Sequence, residues 1–444
     1  MKTRLTFTAV LMIILSVLFS SCKSADFIKP VDSLLTPPLY HEEYKSLVDA
    51  FGKEVSKNVV FCSPRKGDYR SAIIIEDLDA DGEDEALIFY RDEIESSVAR
   101  LHYFKLVDGE WTSKSDMNGY GNEVEKLMIS DMDGDGNSEL IVVWSVSGVT
   151  SSNIMSLYRT SYGFDSYKEL SNENCSVCEL TDIDGDSRDE IFYVNQTTSS
   201  GIVQRSAKAV RLSGNSVVMM GEAKMDSNIS SYTSVKTEKA SGESPMKIYI
   251  DALKGDSQMI TELVYWDSVK SELCAPFFDA DTMSNIETLR DNPVPSTDIN
   301  NDGIIDIPIQ GRQIAGDDSS DKVYVTEWTD YSTETPVVVS NAVINFVDNY
   351  MITLSEEEAE KIKIVNYRSQ NCWIVCSENS DSIQTELYSV LNIASDRWAE
   401  DEFRAYFSVL EFENSVICAY VTDNGAKAGI TEDYVKNRIT KIPA

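Results

Sequence analysis

Four short stretches of this 444-residue chain set oxygen-bearing side chains at alternating positions. They read Asp77-x-Asp79-x-Asp81-Gly82-x-x-Glu85, Asp131-x-Asp133-x-Asp135-Gly136-x-x-Glu139, Asp182-x-Asp184-x-Asp186-Ser187-x-x-Glu190 and Asp298-x-Asn300-x-Asp302-Gly303-x-x-Asp306. Donors at positions 1, 3 and 5 converge on one point. A glycine at position 6 permits the sharp turn, and an acid at position 9 closes the cage. Such a donor set suits a hard divalent cation, with Ca²⁺ the first choice.

The acids need that cation. Two carboxylates about 5 Å apart repel by roughly 3 kcal/mol at an effective dielectric of about 20. Six such pairs in one loop would total on the order of 20 kcal/mol, an upper bound that opening of the loop or a bound proton would relieve. A solvated acidic turn without metal is the plain alternative, and four copies of one spacing speak against it. An EF-hand would put a bidentate Glu at position 12 between two helices. Position 12 is instead Ile88, Val142, Tyr193 or Ile309, all strand formers.

The flanks must therefore be strands. Ala72–Ile75 and Ala86–Tyr90 bracket the first loop, Lys126–Ile129 and Leu140–Trp144 the second, and Ile191–Val194 follows the third. Short β-branched and aromatic runs between Asp/Gly turns read as buried strands. The first two loops start 54 residues apart, the next two 51, and the third and fourth 116, close to two periods. A degenerate unit fills the gap: Thr237–Glu243 leads into Met246–Ile250 and Ile260–Trp266, with the strands kept and the acidic spacing lost. Four strands fall within the first period, at Ala86–Arg91, Arg100–Leu106, Glu110–Asp116 and Val124–Ser130. Such a period predicts a mainly β chain, a β-propeller of about five to seven four-stranded blades.

The loops resemble those of the VCBS/FG-GAP repeat family, the calcium-binding blades also found in the integrin α-chain head. The resemblance covers roughly residues 58–345. The first, second and fourth loops match the motif, and the third departs from it at Ser187; the Phe-Gly and Gly-Ala-Pro signatures of integrin blades are not evident. The resemblance is to the bacterial version of the repeat, in surface lipoproteins of Gram-positive anaerobes. It implies about four structural Ca²⁺ ions, held by the sixteen loop residues named above, and a recognition or adhesion role.

The N-terminus reads as a targeting segment over residues 1–21. Lys2 and Arg4 precede an apolar-rich run, Leu5 to Phe19, that is short for a membrane span. Ser20-Ser21-Cys22 resembles a lipobox, which implies cleavage before Cys22 and lipid on its thiol; with Phe19 in place of the usual Leu, a plain signal peptide stays open. The expected location is the extracellular face of the cell membrane, or secretion if Cys22 carries no lipid. Residues 22–57 read as a proline-containing tether followed by an amphipathic helix, with Tyr44, Leu47, Val48, Phe51 and Val55 at helical spacing. Residues 346–444 read as a small C-terminal α+β domain. It opens at the capping box Ser355–Glu358 and continues through strands at Lys363–Tyr367, Cys372–Cys376, Glu386–Ala394, Phe403–Phe412 and Val416–Val421. A final helix from Thr431 would bury Val435, Ile439 and Ile442.

The formal net charge of −35 repels nucleic acid and favours cations. Besides Cys22, seven cysteines remain, an odd number without regular spacing, which argues against a disulfide framework. On one strand Cys175 and Cys178 would point to opposite faces, so small apolar filling is their expected role. Gly-x-Ser-x-Gly, His-Glu-x-x-His and phosphate-loop motifs are missing from the sequence, and the chain has two histidines, His41 and His102. The strong acidic clusters are accounted for as metal cages, so no catalytic pair is assigned. The expected partners are the membrane, through the N-terminal lipid, and a cell-surface glycan or protein. A carbohydrate-active lyase or hydrolase, or a purely structural envelope protein, is the alternative.

Overall fold

The computed structural model describes residues 42–443 apart from 56–57, 93–97, 149–152, 161–165, 240–244, 256, 292, 317–321, 334, 368–369, 380 and 382. The leader, Cys22 and the proline-containing tether lie outside the described residues, as does part of the degenerate loop near residue 240.

The chain is mainly β, and its described residues form six antiparallel sheets in sequence order. The first joins β1 (Val59–Phe61), β2 (Ile73–Glu76), β3 (Glu85–Asp92), β4 (Arg100–Val107) and β5 (Glu110–Asn118). The second holds β6 (Glu123–Ser130), β7 (Glu139–Ser145), β8 (Asn153–Thr160) and β9 (Tyr167–Cys175). The third holds β10 (Val177–Thr181), β11 (Glu190–Ser199), β12 (Ile202–Ser213) and β13 (Ser216–Met225). The fourth holds β14 (Ile229–Glu238), β15 (Lys247–Lys254), β16 (Gln258–Asp267) and β17 (Glu272–Cys274). In the fifth, β18 (Ile307–Ala315), β19 (Val323–Asp330), β20 (Val337–Asn345) and β21 (Tyr350–Leu354) are joined by the C-terminal β27 (Ile439–Lys441). The sixth runs β22 (Ile362–Tyr367), β23 (Cys372–Glu378), β24 (Gln384–Ala394), β26 (Ser415–Val421), β25 (Phe407–Glu411).

Consecutive sheets pack face to face, which explains why the second strands are apolar without alternation. On β7, Leu140, Val142 and Trp144 face the first sheet while Ile141 and Val143 face the third. On β11, Ile191 and Tyr193 face back and Phe192 and Val194 face forward. A strand covered on both sides needs apolar residues at both parities. Helix α1 (Glu42–Glu54) covers the outer face of the first sheet: Leu47 and Phe51, one turn apart, are buried against Ile73, Ala86, Ile88, Tyr90 and Phe104. At the other end, Trp398, Phe403 and Tyr406 cover Ile393, Val416 and Cys418 of the sixth sheet. Among the described residues no core cluster joins the first sheet to the sixth.

The fifth sheet takes in residues on both sides of 345, because β21 pairs with β20 and β27 pairs with β21. One core cluster joins it to the sixth sheet, with Val325, Val343 and Ile352 meeting Trp373, Val390 and Ile417. Ser355 caps α2 (Glu356–Lys361) through the expected capping box. Three local expectations are corrected. The final helix, α3 (Glu432–Lys436), stops early, and Ile439 is buried on strand β27 instead. The strand expected from Phe403 starts at Phe407, after a 3₁₀ turn at Asp401–Phe403. Cys175 and Cys178 do meet in one core: the chain leaves β9 at Cys175 and enters β10 at Val177, so they sit on two strands, not one.

Candidate metal centre

Each of the first three acidic loops joins the first two strands of its hairpin, β2 to β3, β6 to β7 and β10 to β11. The fourth runs from Thr297, bridged to Asp306, into β18. All four are wired alike. The position-1 carboxylate accepts backbone N–H groups from across the turn: Asp77 from Asp81 and Gly82, Asp131 from Gly134, Asp135 and Gly136, Asp182 from Gly185 and Ser187, Asp298 from Asp302 and Gly303, all at 2.8–3.1 Å. The position-5 acid accepts the N–H two residues on, at Glu83, Asn137, Arg188 and Ile304. One oxygen of the closing acid accepts the position-2 N–H: Leu78 to Glu85, Met132 to Glu139, Ile183 to Glu190, Ile299 to Asp306. Position 6 is left-handed throughout, with φ +90° at Gly82, Gly136 and Gly303 and +70° at Ser187. Serine pays for that conformation with roughly 1 kcal/mol.

This wiring leaves oxygens over. Glu85 Oε1, Glu139 Oε1, Asp306 Oδ1, Asp79 Oδ1 and Asp133 Oδ1 are buried without a hydrogen-bond partner. The closing acids are completely or almost completely buried. Ligand atoms of Asp77, Asp79 and Glu85, of Asp131, Asp133 and Glu139, and of Asp182, Asp184 and Glu190 lie within 4.8 Å of one another in each set. Acids this close in the first three loops, and buried carboxylate oxygens without a hydrogen-bond donor in the first, second and fourth, fit a hard divalent cation. Asp81, Asp135 and Asp186 stand outside these triads. In the fourth loop Asn300 takes position 3, and its side-chain amide donates to Asp302 at 2.8 Å.

Burial and like charge raise the closing acids. Burial pushes Glu139 and Glu190 up to about 7 and Asp306 up to about 6, with neighbouring loop aspartates adding to each. Glu85 is raised for the same reasons.

The sequence reading missed the residues that face these loops from the third strand of each hairpin. Lys105 on β4 pairs in register with Glu85. Its ammonium contacts Asp79 and lies 2.9 Å from Asp81 Oδ2 and 3.3 Å from Glu85 Oε1. Arg159 on β8, one step beyond the Leu140–Tyr158 pair, lies 2.8 Å from Asp133, 2.6 Å from Asp135 and 3.6 Å from Glu139. Arg211 on β12 holds the same position opposite Glu190; burial and the neighbouring Asp186 raise the nearby Asp184 carboxyl, and Arg211 opposes them. It lines a cavity of about 260 Å³ with Asp133, Asp186, Arg188 and Glu190. In the fifth sheet the position holds Asp330, one step beyond the Ile307–Thr329 pair. In the degenerate unit, Lys247 replaces the closing acid and pairs with Glu238.

Beside the fourth loop lies a cleft of about 890 Å³. Asp302, Gly303 and Ile304 form one wall, Tyr265, Phe277 and Tyr331 supply aromatic surface, and Glu238, Lys239 and Lys247 supply charge. Phe277 and Tyr331 meet edge to face, ring centres 5.0 Å apart.

No family model matches the chain, and no curated protein matches it. Among solved structures it is distantly similar to a hypothetical selenium-binding protein of Sulfolobus tokodaii, at 11% identity and a TM-score of 0.28, over 48% of this chain and 55% of that one. It is also distantly similar to a rhamnogalacturonan lyase of Bacillus licheniformis, at 12% identity and a TM-score of 0.29, over 74% and 71%. The chain thus spans about half the length of the first of these.

Proposed function

We propose that the chain is a calcium-binding recognition protein of the cell surface, built from propeller-type blades and anchored by lipid at Cys22. The observation that carries the reading is the common wiring of the loops: backbone donors take up part of each cage, three acids come within 4.8 Å of one another in each of the first three loops, and the first, second and fourth keep buried carboxylate oxygens without a hydrogen-bond donor. Calcium has a structural role in it: the ion ties the first strand of a blade to the second. The six sheets are read as blades in series, with α1 on the face where a closing blade would pack.

Recognition is assigned to the cleft between the fourth and fifth sheets. Flat aromatic faces beside a few charged groups suit a sugar, whose apolar ring face and polar rim need both. Two measurements test the reading. Removing calcium with EDTA is expected to lower the melting temperature through linkage, and identical melts with and without calcium would overturn the metal assignment. A glycan array probed with the full chain is expected to give hits that Tyr331→Ala abolishes, while hits unaffected by that change would place recognition elsewhere.

A further inference from the structure

The four loops share one wiring and differ in what faces them. Lys105 and Arg159 bring a side-chain cation into the first two cages, within ion-pair distance of the position-3, position-5 and position-9 acids. Arg211 brings positive charge beside the third, against Asp186 and Glu190 in a shared cavity. At the fourth loop the same register position holds Asp330, whose carboxylate accepts from Ser332 N at 2.5 Å and Ser332 Oγ at 2.9 Å. Asp306 there is fully buried, one oxygen held by Ile299 N–H and the other, Oδ1, without a partner.

We propose that the loops are graded by this cross-strand residue: the Asp298/Asn300/Asp302/Asp306 loop, faced by Asp330, is the tight divalent-cation site, while Lys105 and Arg159 act as tethered cations that hold the first two cages in a metal-free state. The inference rests on the calcium reading above and deepens it. A tethered ammonium or guanidinium must be expelled before a metal ion enters, and the expelled charge then repels the ion. In the fourth loop no side-chain cation has to leave, only the Asn300 amide has to turn from Asp302, and Asp330 adds attraction; calcium affinity of oxygen cages follows the charge of the surrounding groups.

Calcium titration of the full chain by calorimetry tests the grading. Wild type is expected to bind one tight equivalent, with a weaker one at the third loop. Asp330→Lys is expected to weaken the tight site at least about tenfold, and the milder Asp330→Asn several-fold, with circular dichroism checking the fold of each. The double variant Lys105→Met/Arg159→Met is expected to raise the number of tight equivalents from one to three. Equal affinity at all four loops in wild type, or an unchanged stoichiometry in the folded double variant, would overturn the grading and leave the calcium reading standing. If neither wild type nor the double variant binds calcium, both fall.

Discussion

Lys105 and Glu85 stand opposite each other across the β3–β4 hairpin, and the ammonium lies 3.3 Å from a carboxylate oxygen that has no hydrogen-bond donor of its own. Glu85 is completely buried. Removing one partner of such a pair leaves an uncompensated charge in the interior, which costs about 3 kcal/mol or more. Lys105→Met is therefore expected to lower stability by about that amount in EDTA. Millimolar calcium should restore much of the loss by supplying the charge from solution. Urea unfolding with and without calcium measures both.

The raised closing acids give the metal-free protein a distinctive pH profile. An acid whose folded pKa lies above its unfolded value binds more protons in the native state, so stability is highest below the unfolded pKa and falls as pH rises through the folded one. Glu139 and Glu190, near 7, and Asp306, near 6, place that fall between about pH 4.5 and 7. In EDTA the melting temperature should decline across this window and level off above it. Calcium, which favours the ionised form where it binds, should remove the share of the decline that comes from Asp306 and, at higher concentration, Glu190, and leave that of Glu139.

Ser187 occupies the left-handed position that glycine holds in the other three loops. Ser187→Gly is expected to stabilise the protein by up to about 1 kcal/mol, the steric cost relieved, less the extra freedom glycine gives the unfolded chain. A shift in the urea midpoint at unchanged slope checks it.

Phe51 anchors α1 on the first sheet, its ring meeting Tyr90 edge-on at 5.1 Å and Phe104 at 6.3 Å. Phe51→Ala should cost about 3–5 kcal/mol, the range for a buried Phe. Detachment of the helix would also uncover Ile73, Ile88 and Tyr90, so the variant should self-associate as concentration rises, read by light scattering.

The loops were legible in the sequence because their chemistry is local: ligand spacing, turn and closing acid fit within nine residues, and the strands on either side announce themselves as apolar runs. Lys105, Arg159 and Asp330 were not legible, because what sets them against the acids is the register between neighbouring strands, and register depends on turn length and on bulges such as the one between Gln310 and Gln313 in the β18–β19 pair. Cys175 and Cys178 were misread for a related reason. Spacing along a strand says nothing once the chain changes sheets between the two residues. Ile439 was rightly expected to be buried, but on a helix; pairing with Ile352 makes it a strand residue, a tertiary contact outweighing local pattern.

The inter-sheet core clusters join neighbours in chain order, with α1 at one end and the Trp398–Tyr406 segment at the other. A molecule built this way behaves as a row of coupled links, its stability a sum of terms for each sheet and each junction. Loosening can then begin at either end and travel inward, and an ion held at the fourth loop, at the junction of the fourth and fifth sheets, sits where it would halt a front arriving from either side.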